Sequence, residues 1–481
     1  MTSPNLTLLT DLYQLTMSYG YWKQGMQDRE AVFHLFFRRH PFGGGYTLAA
    51  GLEAAVRLLA DFQITASDCA YLRTLTGRNG QPLFEPDFLA YLQTLRMTCE
   101  VDAVPEGTVV FPHEPLLRIR GPVILGQLLE TPLLNLLNFN TLIATKAARI
   151  VQAAGGDAVL EFGLRRAQGP DGGMSASRAA YLAGCAATSN VLAGKQYGIP
   201  VRGTHAHSWV MSFEEESAAF DAYAEAMPHN TVLLVDTYDT LEGVRQAIRT
   251  GYKLRVQGHT LSGIRLDSGD LATLSIEARA LLDAAGFEET AIVASNDLDE
   301  YEIETLRQRG ARINVWGVGT RLVTAYDQPA LGGVYKLAAM RAPGQPWSPA
   351  IKLSENPVKV SNPGIQQVRR YQDGTRWVAD VIYSEETGAP GTDFVTFEGE
   401  VVPLDGYTWT DMLVPIFREG QQVYELPTLE TIRARAAAQL AGLPAGCLRL
   451  HAPDTYPSGL SRTLTAHKHA LISARRPGAL Q

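Results

Sequence analysis

The sequence is poor in cysteine and carries no surplus of positive charge. Its four cysteines, Cys69, Cys99, Cys185 and Cys447, lie far apart with no CxxC pair, so neither a disulfide framework nor a zinc cluster is indicated. Reduced thiols in a cytoplasmic protein are the simpler expectation. With 42 Lys and Arg against 50 Asp and Glu, the formal net charge is −8. That balance argues against nucleic acid as a partner, while allowing a locally basic pocket for a phosphate-rich small molecule. No stretch holds the ~18 uncharged apolar residues of a membrane span. The opening MTSPNLTLLTDLYQL also lacks the basic region and apolar run of an export signal, so neither insertion nor export is expected. No internal repeat or low-complexity segment is evident either.

What is present is a globular composition, 46% apolar and 19% charged over 481 residues, enough for two or three domains. A first helix, DLYQLTMSYGYWKQG, has Thr10 and Asp11 as caps and Gly25 as its stop. After a strand ending near Arg38 and Arg39, Gly43, Gly44 and Gly45 make a turn. No Lys-Ser/Thr follows it, so it is not read as a P-loop. Short strands broken by Pro105, Pro112, Pro115 and Pro122 complete a mixed α+β N-terminal domain over 1–139.

From Asn140 to about Arg341 short apolar strands alternate with amphipathic helices at the spacing of βαβ units. Repeated this often, with functional-looking residues ending nearly every strand, the pattern predicts an α/β fold built on a (β/α) barrel. An open doubly wound sheet is the alternative, but no GxGxxG opens the first helix. Beyond Arg341 the region 342–481 reads as loops, hairpin strands with Asp373-Gly374 as a turn, and the helix in PTLETIRARAAAQLAGLP. It is expected to pack back on the first domain.

The chemistry lies at the strand ends. VRGTHAHSWVMSF, Val201 to Phe213, reads as a strand closing in a reactive turn, with His205 and His207 on one strand parity. Histidine exchanges protons and accepts phosphoryl groups near neutral pH. No third ligand stands nearby for zinc, and two structural histidines remain an alternative. EFGLRR offers Glu161, Phe162 and two planar cations, Arg165 and Arg166, suited to a carboxylate or diphosphate unless Glu161 pairs with one of them. In IRLDSGD, Arg265 and Asp267 share a strand face, as a coupled acid and base or as a buried ion pair. Asp270 is placed to cap the next helix. Ser295, Asn296 and Asp297 end a further strand. Gly317, Gly319 and Thr320 then let backbone amides approach a phosphate, with Lys336 as a further cation near the same mouth.

These blocks are similar, in order, to those of nicotinate phosphoribosyltransferases: LLTDLYQLTMSYGYW at Leu8 to Trp22, EFGLRR at Glu161 to Arg166, GT-x-AHS within Gly203 to Ser208, IRLDSGDL at Ile264 to Leu271, and LGGVYKL at Leu331 to Leu337. The resemblance runs from Leu8 to about Ala339 and more weakly beyond. It implies an irregular barrel and synthesis of nicotinate mononucleotide and pyrophosphate from nicotinate and phosphoribosyl pyrophosphate, in salvage of NAD. It further implies ATP as co-substrate through a phosphohistidine at His207, Mg²⁺ as cofactor, and a homodimer in which Tyr13 reaches a neighbour's nicotinate. On the residues alone, Tyr13 is one more packing aromatic. By the same resemblance Phe162 stacks on the pyridine, Arg165 lines the site, Arg265 contacts phosphoribosyl pyrophosphate and Asp267 engages the ribose or its metal. Thr204 belongs to the histidine motif, and Glu161 and Asp267 join His207 as catalytic candidates. Ser189 stands where nicotinamide-using relatives carry an Asp, which favours nicotinate. A nicotinamide- or quinolinate-type transferase, or a non-catalytic nucleotide-binding protein on this fold, is the alternative. No metal-binding residues are assigned.

Overall fold

The computed structural model describes residues 5–356 and 359–475. It forms two compact units, 1–142 with 330–481, and 143–329.

The first unit is built on mainly antiparallel sheets, with one parallel pair, Arg376–Ser384 beside Ser458–Ser461. Its seven-stranded sheet runs Ser348–Pro349, Val334–Arg341, Glu30–Phe36, Leu117–Pro122, Glu100–Ala103, Val414–Arg418, Gln421–Gln422. The N-terminal strand Glu30–Phe36 is therefore flanked on one side by Val334–Arg341, with Val32 opposite Ala339, and on the other by Leu117–Pro122. A second sheet holds the two hairpins read from the sequence, Gln366–Asp373 with Arg376–Ser384 and Asp393–Thr396 with Val401–Pro403. Gly374 turns the first at φ +58°. The segment 330–341, expected in the barrel, belongs here because its strand completes the N-terminal sheet. Lys336 lies on that strand, its Nζ donating to Tyr335 O at 2.8 Å, and so in a different unit from the strand-end residues it was grouped with.

The second unit is a six-stranded parallel sheet of β1 (Ala158–Glu161), β2 (Ala187–Thr188), β3 (Thr231–Leu234), β4 (Leu261–Leu266), β5 (Ala291–Ala294) and β6 (Val315–Val318). Their order is β2-β1-β6-β5-β4-β3. Helices join successive strands wherever the sequence supplies caps and apolar faces. Asp239 accepts the N–H of Glu242 at 2.8 Å to open helix Thr240–Val256. Asp299 accepts those of Tyr301 and Glu302 to open Glu300–Gln308. Strands buried on both faces read as short apolar runs, which is why the alternation was visible in the sequence.

The sheet ends at β2 on one side and β3 on the other. Between these edges the chain makes one bridge, Thr188 to Val201, then runs as coil into a short helix, His207–Met211. The expected strand through the two histidines is thus corrected. Only Val201 pairs, and the residues after it turn across the opening of a half-barrel instead of lengthening the sheet.

Candidate functional site

Arg265 and Asp267 leave β4 toward the C-terminal ends of the strands, where α/β proteins hold ligands. The Arg265 guanidinium donates to Asp267 Oδ1 at 2.8 Å, to Ser295 Oγ at 2.7 Å and to Thr204 Oγ1 at 3.2 Å. Ser295 donates to the same Asp267 oxygen. Burial works against the charged form of Asp267. The Ser295 hydrogen bond, Arg265 and the nearby His207 outweigh it and hold the carboxyl below its ordinary range. Asp267 is therefore an anion at neutral pH. Its Oδ2 lies 3.8 Å from His207 Nε2, while His207 Nδ1 lies 3.2 Å from the Thr237 hydroxyl. The backbone N–H of Asp267 and the Ser268 hydroxyl both donate to Asp236 Oδ2 at 2.8 Å, so the end of β3 anchors the turn after β4.

The two histidines differ in kind. His207 is in the first turn of its helix and partly exposed. His205 is buried, and its Nε2 accepts the N–H of Leu234 at 3.1 Å, which leaves the proton on Nδ1, 3.4 Å from Ala206 O. Burial lowers its pKa, as a bare acceptor nitrogen requires. Leu234 lies on the free edge of β3, so the His205 ring satisfies a donor that a further strand would otherwise take.

Glu161, at the end of β1, is 1% exposed. It accepts from Gly163 N–H and from the hydroxyls of Ser177, at 2.8 Å, and Thr188. Both oxygens are engaged inside the protein, so Glu161 shapes the turn that carries Phe162 and makes no ion pair with Arg165 or Arg166. Those two arginines are exposed and without an ion-pair partner among the described residues. The cation brought to Phe162 is Arg265, with its guanidinium carbon 5.8 Å from the ring centroid. Ser189 follows β2, its N–H donating to Glu161 O at 2.9 Å.

Gly317 and Gly319 let two turns meet. A Cβ on Gly317 would lie 2.8 Å from the Phe162 ring, and one on Gly319 would lie 3.2 Å from Phe162 O. Thr320 then opens the short helix Thr320–Val323. These glycines thus make room for Phe162. At the end of β5, Asn296 is held at φ +123°, a conformation that L residues rarely adopt. Beneath Phe162 a cavity of about 370 Å³ enters the half-barrel, lined by Ala158, Leu160, Val232, Ala291, Val293 and Val315 among others. Barrel interiors are ordinarily filled by bulky branched side chains, and alanines on β1 and β5 leave this one open.

Two residues escaped the sequence reading. Thr237 directly follows Asp236, and a hydroxyl at a strand end was the available signal. Glu216, in the first turn of helix Glu216–Ala226, gave none. It is buried, and burial, then Asp236, Glu242 and Asp239, push its carboxyl up to about 7. Tyr13 belongs to the first unit, on helix Leu12–Lys23, and is half exposed.

Family models described as the nicotinate phosphoribosyltransferase (NAPRTase) N-terminal domain, NAPRTase family and C-terminal domain match residues 8–138, 158–362 and 366–468. The nicotinate phosphoribosyltransferase of Bacillus subtilis (strain 168) is 43% identical over 474 residues, covering 96% of this chain and 94% of its own. The crystal structure of human nicotinic acid phosphoribosyltransferase is similar at TM-score 0.84 and 35% identity, over 96% of this chain and 99% of that one. A nicotinate-nucleotide pyrophosphorylase from Pyrococcus furiosus shares the fold at TM-score 0.70 and 22% identity, over 91% of this chain and 96% of that one.

Proposed function

The chain belongs to the nicotinate phosphoribosyltransferase family, and from that premise we propose that it joins nicotinate to the ribose 5-phosphate of phosphoribosyl pyrophosphate. Pyrophosphate is released, and ATP hydrolysis is coupled through a phosphohistidine at His207. The observation that carries this reading is that Arg265, at the end of β4, meets the Phe162 ring, the Asp267 carboxylate and, through Asp267, the His207 ring. An aromatic face with a guanidinium beside it and space beneath suits a planar aromatic carboxylate. The same guanidinium and the turn after β6 suit the phosphates that such a base must meet.

The Asp267 carboxylate, 3.8 Å from His207 Nε2, would favour a proton on that nitrogen, leaving the Nδ1 lone pair as nucleophile. Nδ1 then forms a bond to the γ-phosphorus of ATP as the bond to the ADP oxygen breaks. Water later cleaves the N–P bond, returning a neutral imidazole and inorganic phosphate. During transfer the bond from the ribose carbon to pyrophosphate breaks as the pyridine nitrogen bonds to that carbon, and carboxylates nearby favour the cation-like carbon. Mg²⁺ would withdraw charge from the polyphosphates. The chain offers it hard oxygen donors at the strand ends, among them Asp236, whose Oδ1 is buried without a partner. A homodimer, with Tyr13 lent to a neighbouring copy, is part of the same reading.

The test is one assay with nicotinate, phosphoribosyl pyrophosphate and Mg²⁺, run with and without ATP and repeated with nicotinamide and with quinolinate. Nicotinate mononucleotide is the expected product, with yield raised by ATP, and no product from nicotinate would sink the proposal. His207→Ala should abolish covalent labelling from γ-labelled ATP while leaving some ATP-independent transfer.

A further inference from the structure

Thr237 stands just beyond β3, on a turn that is tied to the turn after β4. Val235 N–H donates to Arg265 O at 3.2 Å, and Asp236 Oδ2 accepts from Asp267 N–H and from the Ser268 hydroxyl, each at 2.8 Å. The two turns are therefore braced together, and each lends a group to the His207 ring. Thr237 Oγ1 lies 3.2 Å from Nδ1, and Asp267 Oδ2 lies 3.8 Å from Nε2. No other side chain meets either ring nitrogen among the described residues.

These two flanking groups differ in what they can do. Against its burial, the Ser295 hydrogen bond and Arg265 keep Asp267 anionic, so it can only accept, and it favours the tautomer with the proton on Nε2. A neutral imidazole has one N–H. Nδ1 is then left as an acceptor, and a hydroxyl is a group that can donate to it. The branched Cβ of threonine leaves few χ1 choices, so the direction of that hydroxyl follows from the backbone of the braced turn. We propose that Thr237 is a positioning residue for phosphoryl transfer to His207. Its hydroxyl fixes the ring with the Nδ1 lone pair toward the end of β3, and it donates to a phosphoryl oxygen once that lone pair has bonded to phosphorus. The hydroxyl keeps its proton throughout, and only its acceptor changes. As the Nδ1–P bond forms, the bond from phosphorus to the ADP oxygen breaks, and the ring, still protonated at Nε2, becomes cationic beside the Asp267 carboxylate. The inference rests on the phosphohistidine reading of His207 and adds the group that chooses the nitrogen.

Rapid-quench labelling from γ-labelled ATP, followed by alkaline digestion and separation of the two phosphohistidine isomers, reads both the rate and the nitrogen used. In the unaltered protein the label should sit on Nδ1 alone. Thr237→Val keeps the shape and removes the hydroxyl. It should lower the maximal labelling rate at least tenfold, leave the half-saturating ATP concentration within twofold, and divide the label between the two nitrogens. Thr237→Ser should return the label to Nδ1 alone and recover the rate to within threefold. A merely structural threonine would not change which nitrogen is labelled. Label on Nε2 in the unaltered protein overturns the proposal. Should Thr237→Val fail to fold, nitrogen NMR of the unaltered protein carrying isotope-labelled histidine should show Nδ1 of His207 unprotonated, its signals being identified by their loss in His207→Ala. A protonated Nδ1 overturns the proposal equally. No label at all in the unaltered protein refutes the phosphohistidine reading and the proposal with it, whereas a label that Thr237→Val leaves unchanged in rate and position refutes the proposal alone.

Discussion

Arg265 and Arg165 compete for the same role, and their surroundings separate them. Arg265 is held by three acceptors beside Phe162, whereas Arg165 is exposed and has no ion pair among the described residues. A lysine retains charge but not the planar fork. We expect Arg265→Lys to raise the nicotinate KM at least tenfold, about 1.4 kcal/mol, and Arg165→Lys to raise it less; steady-state kinetics with nicotinate varied would reverse the assignment if the order came out the other way. The pair Arg265 and Asp267 was legible because two residues apart on a strand is one face. The partners of Glu161 were not legible, because a strand-end carboxylate looks the same whether it faces a ligand or the hydroxyls of Ser177 and Thr188, which arrive from distant positions. Glu216 was illegible for a related reason: its burial comes from the packing of its helix, which nothing in its own stretch announces.

At the scale of elements, the histidine segment shows where periodicity fails. Alternation over VRGTHAHS suits a strand, yet β2 and β3 leave an opening in the sheet that the coil must cross. The segment therefore pairs once and turns into a helix. His205 substitutes for the missing strand by accepting the Leu234 N–H. Removing the ring leaves a buried donor unmet, so His205→Ala should lower stability by about 1–3 kcal/mol, read as a drop in the denaturation midpoint, while labelling of His207 from ATP persists. Loss of the label at unchanged stability would make His205 a participant in the chemistry. The barrel helices and the C-terminal hairpins were readable from caps, turns and apolar spacing, because those signals are local.

For the molecule as a whole, the helix Leu12–Lys23 and the residues before it expose Leu9, Leu12, Tyr13 and Met17, each between 40% and 50%. Such a run is the kind of surface a second copy covers. We expect a homodimer by light scattering, and Leu12→Glu with Met17→Glu should yield monomers without labelling of the helix as unfolded by circular dichroism. A monomeric, fully active unaltered protein would contradict this. The domain boundary near Arg341 could not be read, because the strand Val334–Arg341 finds its partner at Glu30–Phe36, some three hundred residues earlier, and sequence pattern carries no record of so distant a pairing. That pairing has a consequence for the birth of the protein. As the chain leaves the ribosome, the half-barrel unit 143–329 emerges complete, while the strand Glu30–Phe36 waits with one edge bare and Glu100–Ala103 waits for Val414–Arg418. Until synthesis passes those strands, the N-terminal sheet is an open template for its neighbours on the same polysome. Premature stop codons after residue 329 should accordingly produce insoluble chains, and holdase chaperones should be found on nascent chains through that interval.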